Sequence, residues 1–251
     1  MDFLTSPAFW VALGQIIIID ILLGGDNAVV IALACRKLPP AQRTKGIIWG
    51  TAGAIILRVV LIAFAMTLLA IPFLKFVGAI LLVWIGVKLL APDVEGHGEV
   101  AGSDKLLAAI KTIIVADLVM SVDNVIAIAG AAQNAGEHSM LLVVLGLLIS
   151  IPIIVWGSQL VIKLMDRFPM IITAGGMLLG WIAGGMLVTD PAFVSPDKWT
   201  FLPKFGTVDE RGLAVVSDTV YWTSHIVGAL VVLALGKFVA SRRSAAMASH
   251  G

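Results

Sequence analysis

Asp20 stands in the middle of an apolar run from Val11 to Cys35, and Asp117 stands inside another such run. An aspartate at the centre of a membrane-crossing helix costs about 2.5–3.5 kcal/mol on insertion scales. Each of these acids is followed by a second acid and an amide in the same pattern: Asp20 then Asp26-Asn27, Asp117 then Asp123-Asn124. The two copies lie 97 positions apart. At that offset Ile16, Ile17, Ile31, Ala32 and Ala34 also match Ile113, Ile114, Ile128, Ala129 and Ala131. A chain that places its costliest residues twice in one register uses them, and the fold must accommodate both copies.

Composition supports a membrane protein. Hydrophobic residues make up 59% of the chain and charged residues 13%, far from the balance of a soluble domain. A formal net charge of +1 supplies no basic surface for nucleic acid. The single cysteine, Cys35, excludes a disulfide framework and a thiolate metal cluster. The first ten residues lack a basic n-region and include Asp2, so the first apolar stretch is expected to stay in the membrane rather than be cleaved.

Seven stretches near the roughly 20 residues a bilayer requires predict transmembrane helices over 9–35, 47–70, 73–91, 106–132, 139–162, 169–189 and 220–240. The first is long enough to tolerate a break at Gly24-Gly25. The expected fold is an all-α, multi-span membrane helix bundle. Residues 1–91 form a first three-helix repeat, and 92–105 an acidic cytoplasmic linker. Residues 106–189 form a second, inverted three-helix repeat, and 190–251 an extracytoplasmic loop, seventh helix and cytoplasmic tail. Trp84-Ile85 falling on Trp181-Ile182, and Gly78 on Gly175, extend the repeat at the same offset. Three spans per unit turn the second copy upside down. Inverted repeats with broken helices are the architecture of secondary transporters, whose ion sites lie near the midplane where the repeats meet. Most Lys and Arg residues, among them Arg36, Lys37, Arg43, Lys45, Lys163 and Arg167, fall on one side, against only Lys75, Lys198, Lys204 and Arg211 on the other. The positive-inside rule then puts the N-terminus outside and the C-terminus in the cytoplasm.

The expected metal-binding residues are Asp20, Asp26, Asn27, Asp117, Asp123 and Asn124. Asp20 and Asn27 are seven apart and share a helix face, as do Asp117 and Asn124. A break at Gly24-Gly25 would swing Asp26 toward them and free backbone carbonyls; with Ser121-Val122 at the matching place, a break in the second copy is left open. Carboxylate, amide and carbonyl oxygens suit Mn²⁺, Mg²⁺ or Ca²⁺ rather than zinc or copper. The blander reading is that the Asp-Asn pairs only hydrogen-bond helix to helix, which Asn or Ser would do without the charge. Arg58 lies mid-span in the second helix and must pair with an acid, as structural neutraliser or as coupling element. The four-residue spacing of Gly46 and Gly50, and of Gly176, Gly180 and Gly184, predicts close helix packing.

The string Gly24-Gly25-Asp26-Asn27-Ala28-Val29-Val30-Ile31-Ala32-Leu33-Ala34, with Ala116-Asp117-Leu118-Val119-Met120-Ser121-Val122-Asp123-Asn124-Val125, closely resembles the TerC family of integral membrane proteins, in its compact, manganese-riboswitch-associated branch. The resemblance covers roughly residues 8–190. It implies a bacterial inner-membrane protein linked to Mn²⁺ export, and the family's acidic motif maps onto the six residues above. After residue 190 no family motif is evident.

Three functions compete. The first is a secondary transporter exporting a divalent cation, Mn²⁺ above others, with no prosthetic group and the metal as substrate. The second is a membrane scaffold or metal-delivery partner for other proteins. The third is an intramembrane, aspartate-dependent enzyme. Two near-identical motifs argue for a symmetric site rather than an acid and a base held apart in pKa, so an enzyme is not expected. The expected partners are the cation and the lipid bilayer; oligomeric state, homo-oligomer included, stays open.

Overall fold

The computed structural model describes residues 7–64, 67–68, 71–91, 102–133, 139–195, 201–209 and 214–248. Most of the acidic linker, with His97, and also His138 and His250 lie outside the described residues. In chain order the elements are α1 (Pro7–Leu23), α2 (Gly25–Cys35), α3 (Pro40–Ala63), α4 (Leu74–Leu90), α5 (Gly102–Gln133), α6 (Ser139–Arg167), α7 (Met170–Val188) and α8 (Pro191–Val194). The short strands β1 (Gly206–Val208) and β2 (Ala214–Val216) then precede α9 (Asp218–Ala248).

The chain is an all-α membrane bundle with one small hairpin. Among the described residues α3, α6, α7 and α9 contain stretches long and apolar enough to cross a membrane. Residues 9–22 and 25–35, bent by 45° at the intervening break, make one further span if taken together. α4, at 17 residues, reaches about 26 Å, slightly under the hydrocarbon thickness. α5 carries Asp104, Lys105, Lys111, Asp117 and Asp123 along its length.

The chain forms two compact units, and each is built from two separate stretches of the sequence. The first unit holds α1, α2, α3, α5 and α6. Its helices close on one another through glycine. A Cβ on Gly50 of α3 would lie 2.5 Å from Cδ1 of Ile113 on α5, and one on Gly53 would lie 2.6 Å from Cδ1 of Ile114. Gly146 of α6 meets Ile16 of α1 in the same way, at 2.5 Å. Around these approaches Ile16, Leu33, Ile47, Ile113, Leu142 and Leu147 are fully buried. At one end Arg43 donates from Nε to the Leu38 carbonyl (3.1 Å), from Nη2 to the Arg36 carbonyl (2.8 Å) and from Nη1 to Asp166 (3.1 Å). It thereby satisfies carbonyls that the end of α2 leaves open.

The second unit holds α4, α7, α8, the hairpin and α9. Here α7 and α9 meet backbone to backbone: a Cβ on Gly180 would collide with the Gly228 carbonyl, and one on Gly184 with the Ser224 carbonyl. Small residues permit that approach. His225 sits beside it, its Nδ1 2.7 Å from the Tyr221 carbonyl and its ring against Trp181 and Tyr221.

The segment after α7 is not simply the surface loop expected. Asp190 is fully buried, and Ala192, Phe193 and Val194 are buried with it. The Asp190 carboxylate accepts from the backbone N–H of Ala192 (2.8 Å), Phe73 (2.9 Å) and Phe76 (3.0 Å), so one side chain caps the starts of both α8 and α4. Phe73 holds φ 64, an uncommon conformation for a bulky residue, and the Asp190 bond fastens it there.

Candidate metal and charge-pair centre

The local sequence explains where the acids land. Gly24 ends α1 and precedes α2, and a side chain there would strike the Asp20 carbonyl. Glycine is therefore required at the break. Asp20 falls in the last turn of α1, where the helix dipole disfavours a negative charge, and Asp26 in the first turn of α2, where the dipole favours it. The second copy behaves differently: α5 runs as a continuous helix through Ser121-Val122.

Arg58 on α3 joins the two copies. Its Nη1 donates to Asp20 Oδ1 at 2.6 Å, its Nη2 donates to Asp117 Oδ1, and its Nε donates to Ser121 Oγ at 3.1 Å. Ser121, four residues from Asp117 on one helix face, donates to Asp117 Oδ2 at 3.1 Å. Ser150 of α6 donates to Asp20 Oδ2. All five residues are buried, Arg58 to 3% exposure. Two carboxylates and one guanidinium leave this centre with one excess negative charge. The planar fork of arginine suits a double carboxylate clamp in a way that lysine would not.

The other expected ligands surround this centre unevenly. Asp26 is half-buried, accepts the Asn27 backbone N–H at 2.7 Å, and lies within electrostatic reach of Arg58 and Asp117. Asn27 is buried, and neither Oδ1 nor Nδ2 has a hydrogen-bond partner among the described residues. Asn124 is half-buried on α5, and the side chain of Asp123 lies outside those described. Among the described residues no group of three His, Cys, Asp or Glu side chains is gathered tightly enough to hold a metal ion. Asp20, Asp117 and Arg58 thus meet directly, as the sequence suggested for Arg58 and an acid. Ser121 and Ser150 were not among the expected site residues. The i, i+4 spacing from Asp117 could have pointed to Ser121; nothing in an apolar stretch singles out Ser150.

A buried ion-pair centre inside a bundle of apolar helices defines the class: a multi-span integral membrane protein with a charged interior. The chain belongs to the integral membrane protein TerC family, whose model matches residues 5–244. It is 44% identical over 201 residues to the uncharacterized membrane protein YjbE of Bacillus subtilis, covering 80% of this chain and 88% of that one. It is 29% identical over 192 residues to the uncharacterized membrane protein YceF of the same organism, covering 72% of each. It is 26% identical over 183 residues to the UPF0053 inner membrane protein YgdQ of Escherichia coli, covering 66% and 75%. No solved structure matches the chain.

Proposed function

We propose that the protein is a secondary transporter of the bacterial inner membrane. It has seven spans and an outside N-terminus, and it exports a divalent cation, Mn²⁺ above others. The observation that carries this reading is the Arg58 guanidinium held between Asp20 and Asp117, one acid from each copy of the repeat. A positive charge already occupies the place where the copies converge, and a divalent cation can compete for the same oxygens. The remaining residues of the two motifs, Asp26-Asn27 and Asp123-Asn124, carry carboxylate and amide oxygens, the donors a hard cation prefers. Relatives named as inner membrane proteins support the location.

The charge balance suggests the coupling. Carboxylates in a low-dielectric interior require a neutralising partner. When the cation leaves, Arg58 offsets one of the two negative charges of Asp20 and Asp117, and one proton neutralises the remainder. Protons flowing inward would then drive the cation out, the two inverted copies forming the two faces of an alternating-access cycle.

The test is accumulation of radioactive manganese in everted membrane vesicles. Wild-type vesicles accumulate it, Asp117→Asn and Asp20→Asn vesicles do not, and a protonophore at fixed membrane potential lowers the uptake. Uptake indifferent to the pH gradient would remove proton coupling and leave the cation site standing. A second reading, a membrane scaffold or metal-delivery partner, draws support from the saturation of Asp20 and Asp117 by Arg58 and two serines, as in a structural ion pair. No manganese accumulation in wild-type vesicles would favour it.

A further inference from the structure

α6 lies against the bent α1–α2 arm on both sides of its break, and three contacts fix the register. Ser150 donates to Asp20 Oδ2. A Cβ on Gly24 would lie 3.5 Å from Ile154 Cδ1, and a Cβ on Gly157 would lie 3.9 Å from the Ala28 Cβ. The two segments run parallel, and α6 lines the arm from Asp20 to Ala28. That stretch includes Asp26 and Asn27. Ser150, on the lining face, is fully buried.

Asp20 has two carboxylate oxygens, each with one partner: Arg58 donates to Oδ1 at 2.6 Å and Ser150 to Oδ2. The two partners are not equally fixed. Arg58 is held by Asp20, Asp117 and Ser121 together, so withdrawing it would strip three bonds from a buried charge. Ser150 has one proton and a second acceptor in reach, the Leu147 carbonyl at 2.9 Å. A bond to its own helix is the usual state of a hydroxyl in an apolar helix; Ser158 makes one at 2.7 Å. Turning the proton to Leu147 leaves no donor unsatisfied and aims the lone pairs of Oγ at the space beside Asp20 Oδ2.

We infer that Ser150 Oγ is a ligand of the transported cation, which binds between it and Asp20 Oδ2 while Arg58 keeps Oδ1. Oxygens at hydrogen-bond separation already have the spacing such an ion requires. In an octahedral shell with ligands at about 2.1 Å, neighbouring oxygens lie about 3 Å apart. The hydroxyl keeps its proton, turned to the Leu147 carbonyl, so this ligand releases none. The inference rests on the transport reading above. It adds to the six motif residues one from a helix without a copy of the motif, and it seats the cation on the bent copy's side of the arginine.

The test compares Ser150→Ala and Ser150→Cys with wild type in the purified full-length chain. Mn²⁺ alone and Cd²⁺ alone are the probes, their affinities are the readouts, and the metal-free melting temperature shows that each variant is folded. The Ala variant is expected to bind Mn²⁺ about tenfold more weakly. The Cys variant puts a soft sulfur where the hydroxyl was, and its preference for Cd²⁺ over Mn²⁺ should rise at least about tenfold over wild type, which carries Cys35 as well. A hydroxyl that only steadies Asp20 would not change the preference between metals. If the Ala variant does not fold, the Cys variant carries the test. Wild-type Mn²⁺ affinity in the Ala variant overturns the ligand, and so does a wild-type metal preference in the Cys variant. If Asp20→Asn weakens binding and neither Ser150 variant differs from wild type, Ser150 falls and the transport reading survives. If the wild-type protein binds no Mn²⁺, both fall.

Discussion

The two copies of the acidic motif meet the same problem with different backbones. In the first, Gly24 interrupts the helix between Asp20 and Asp26; in the second, α5 continues unbroken past Asp117. The residue that matches Gly24 at the repeat offset is Ser121, and it supplies what the glycine cannot: a hydroxyl that accepts from Arg58 Nε and donates to Asp117. The first copy must borrow its hydroxyl from Ser150 on α6. The second copy carries its own polar partner on one rigid helix. The first gives up that partner for a bend that re-aims Asp26 and Asn27. One motif thus sits on a continuous helix and the other on a bent one, and the two are clamped by an arginine without a counterpart: the position 97 residues after Arg58 is Val155.

The sharpest way to break this comparison is to remove the clamp. Arg58→Leu leaves Asp20 and Asp117 buried without their cation, and breaking a buried pair from one side costs about 3–5 kcal/mol. The variant is expected to lose most of its folded yield in detergent, read as the melting temperature and monodispersity of the purified protein. Adding Asp20→Asn and Asp117→Asn together should restore stability without restoring transport. If one acid alone has to be neutralised, the centre is less symmetric than one guanidinium nitrogen for each acid implies. Wild-type stability in Arg58→Leu would place the guanidinium in water, contrary to its 3% exposure.

Next in size is an exchange of the two backbones. Gly24→Ser writes the second copy's residue into the first, and its Cβ would strike the Asp20 carbonyl. The helix has to shift to accept it, an effect of about 1–3 kcal/mol, and transport should fall further than stability because the bend that aims Asp26 is disturbed. The reverse change, Ser121→Gly, puts glycine inside a continuous helix. It is expected to cost about 1 kcal/mol from backbone entropy, plus the loss of the hydroxyl. Equal manganese uptake in Gly24→Ser and wild-type vesicles would show that the bend has no part in the cycle.

These expectations rest on residues of unequal visibility in the sequence. Asp20, Asp117 and Arg58 were legible because charge in an apolar run is costly and needs a partner. The break at Gly24-Gly25 was legible because paired glycines are poor helix formers. The continuity of α5 was not: serine and valine neither break nor guarantee a helix. Ser150 was invisible because a lone serine in a membrane helix usually bonds its own backbone, as Ser158 does. The buried start of the segment after α7 was missed because Asp190 reads as a loop residue, and its three backbone partners lie partly on α4, distant in sequence. The three-residue strands of the hairpin are too short to leave an alternating pattern.

The smallest expected effect separates the two hydroxyls. Ser121 serves two charged groups at once, accepting from Arg58 and donating to Asp117. Ser150 serves one, Asp20, and has the Leu147 carbonyl at 2.9 Å as an alternative acceptor for its single proton. Hydrogen bonds to charged groups contribute about 1.5–3 kcal/mol and ordinary ones about 1 kcal/mol. Ser121→Ala should therefore lower the melting temperature more than Ser150→Ala does. The two losses should not simply add, because both hydroxyls act on one ion-pair network. The measurement is a set of three melting curves, for each single variant and the double, at one detergent and ionic strength. A larger loss from Ser150→Ala would move the weight of the centre to the bent copy, making Asp20 rather than Asp117 the acid that holds Arg58 in place.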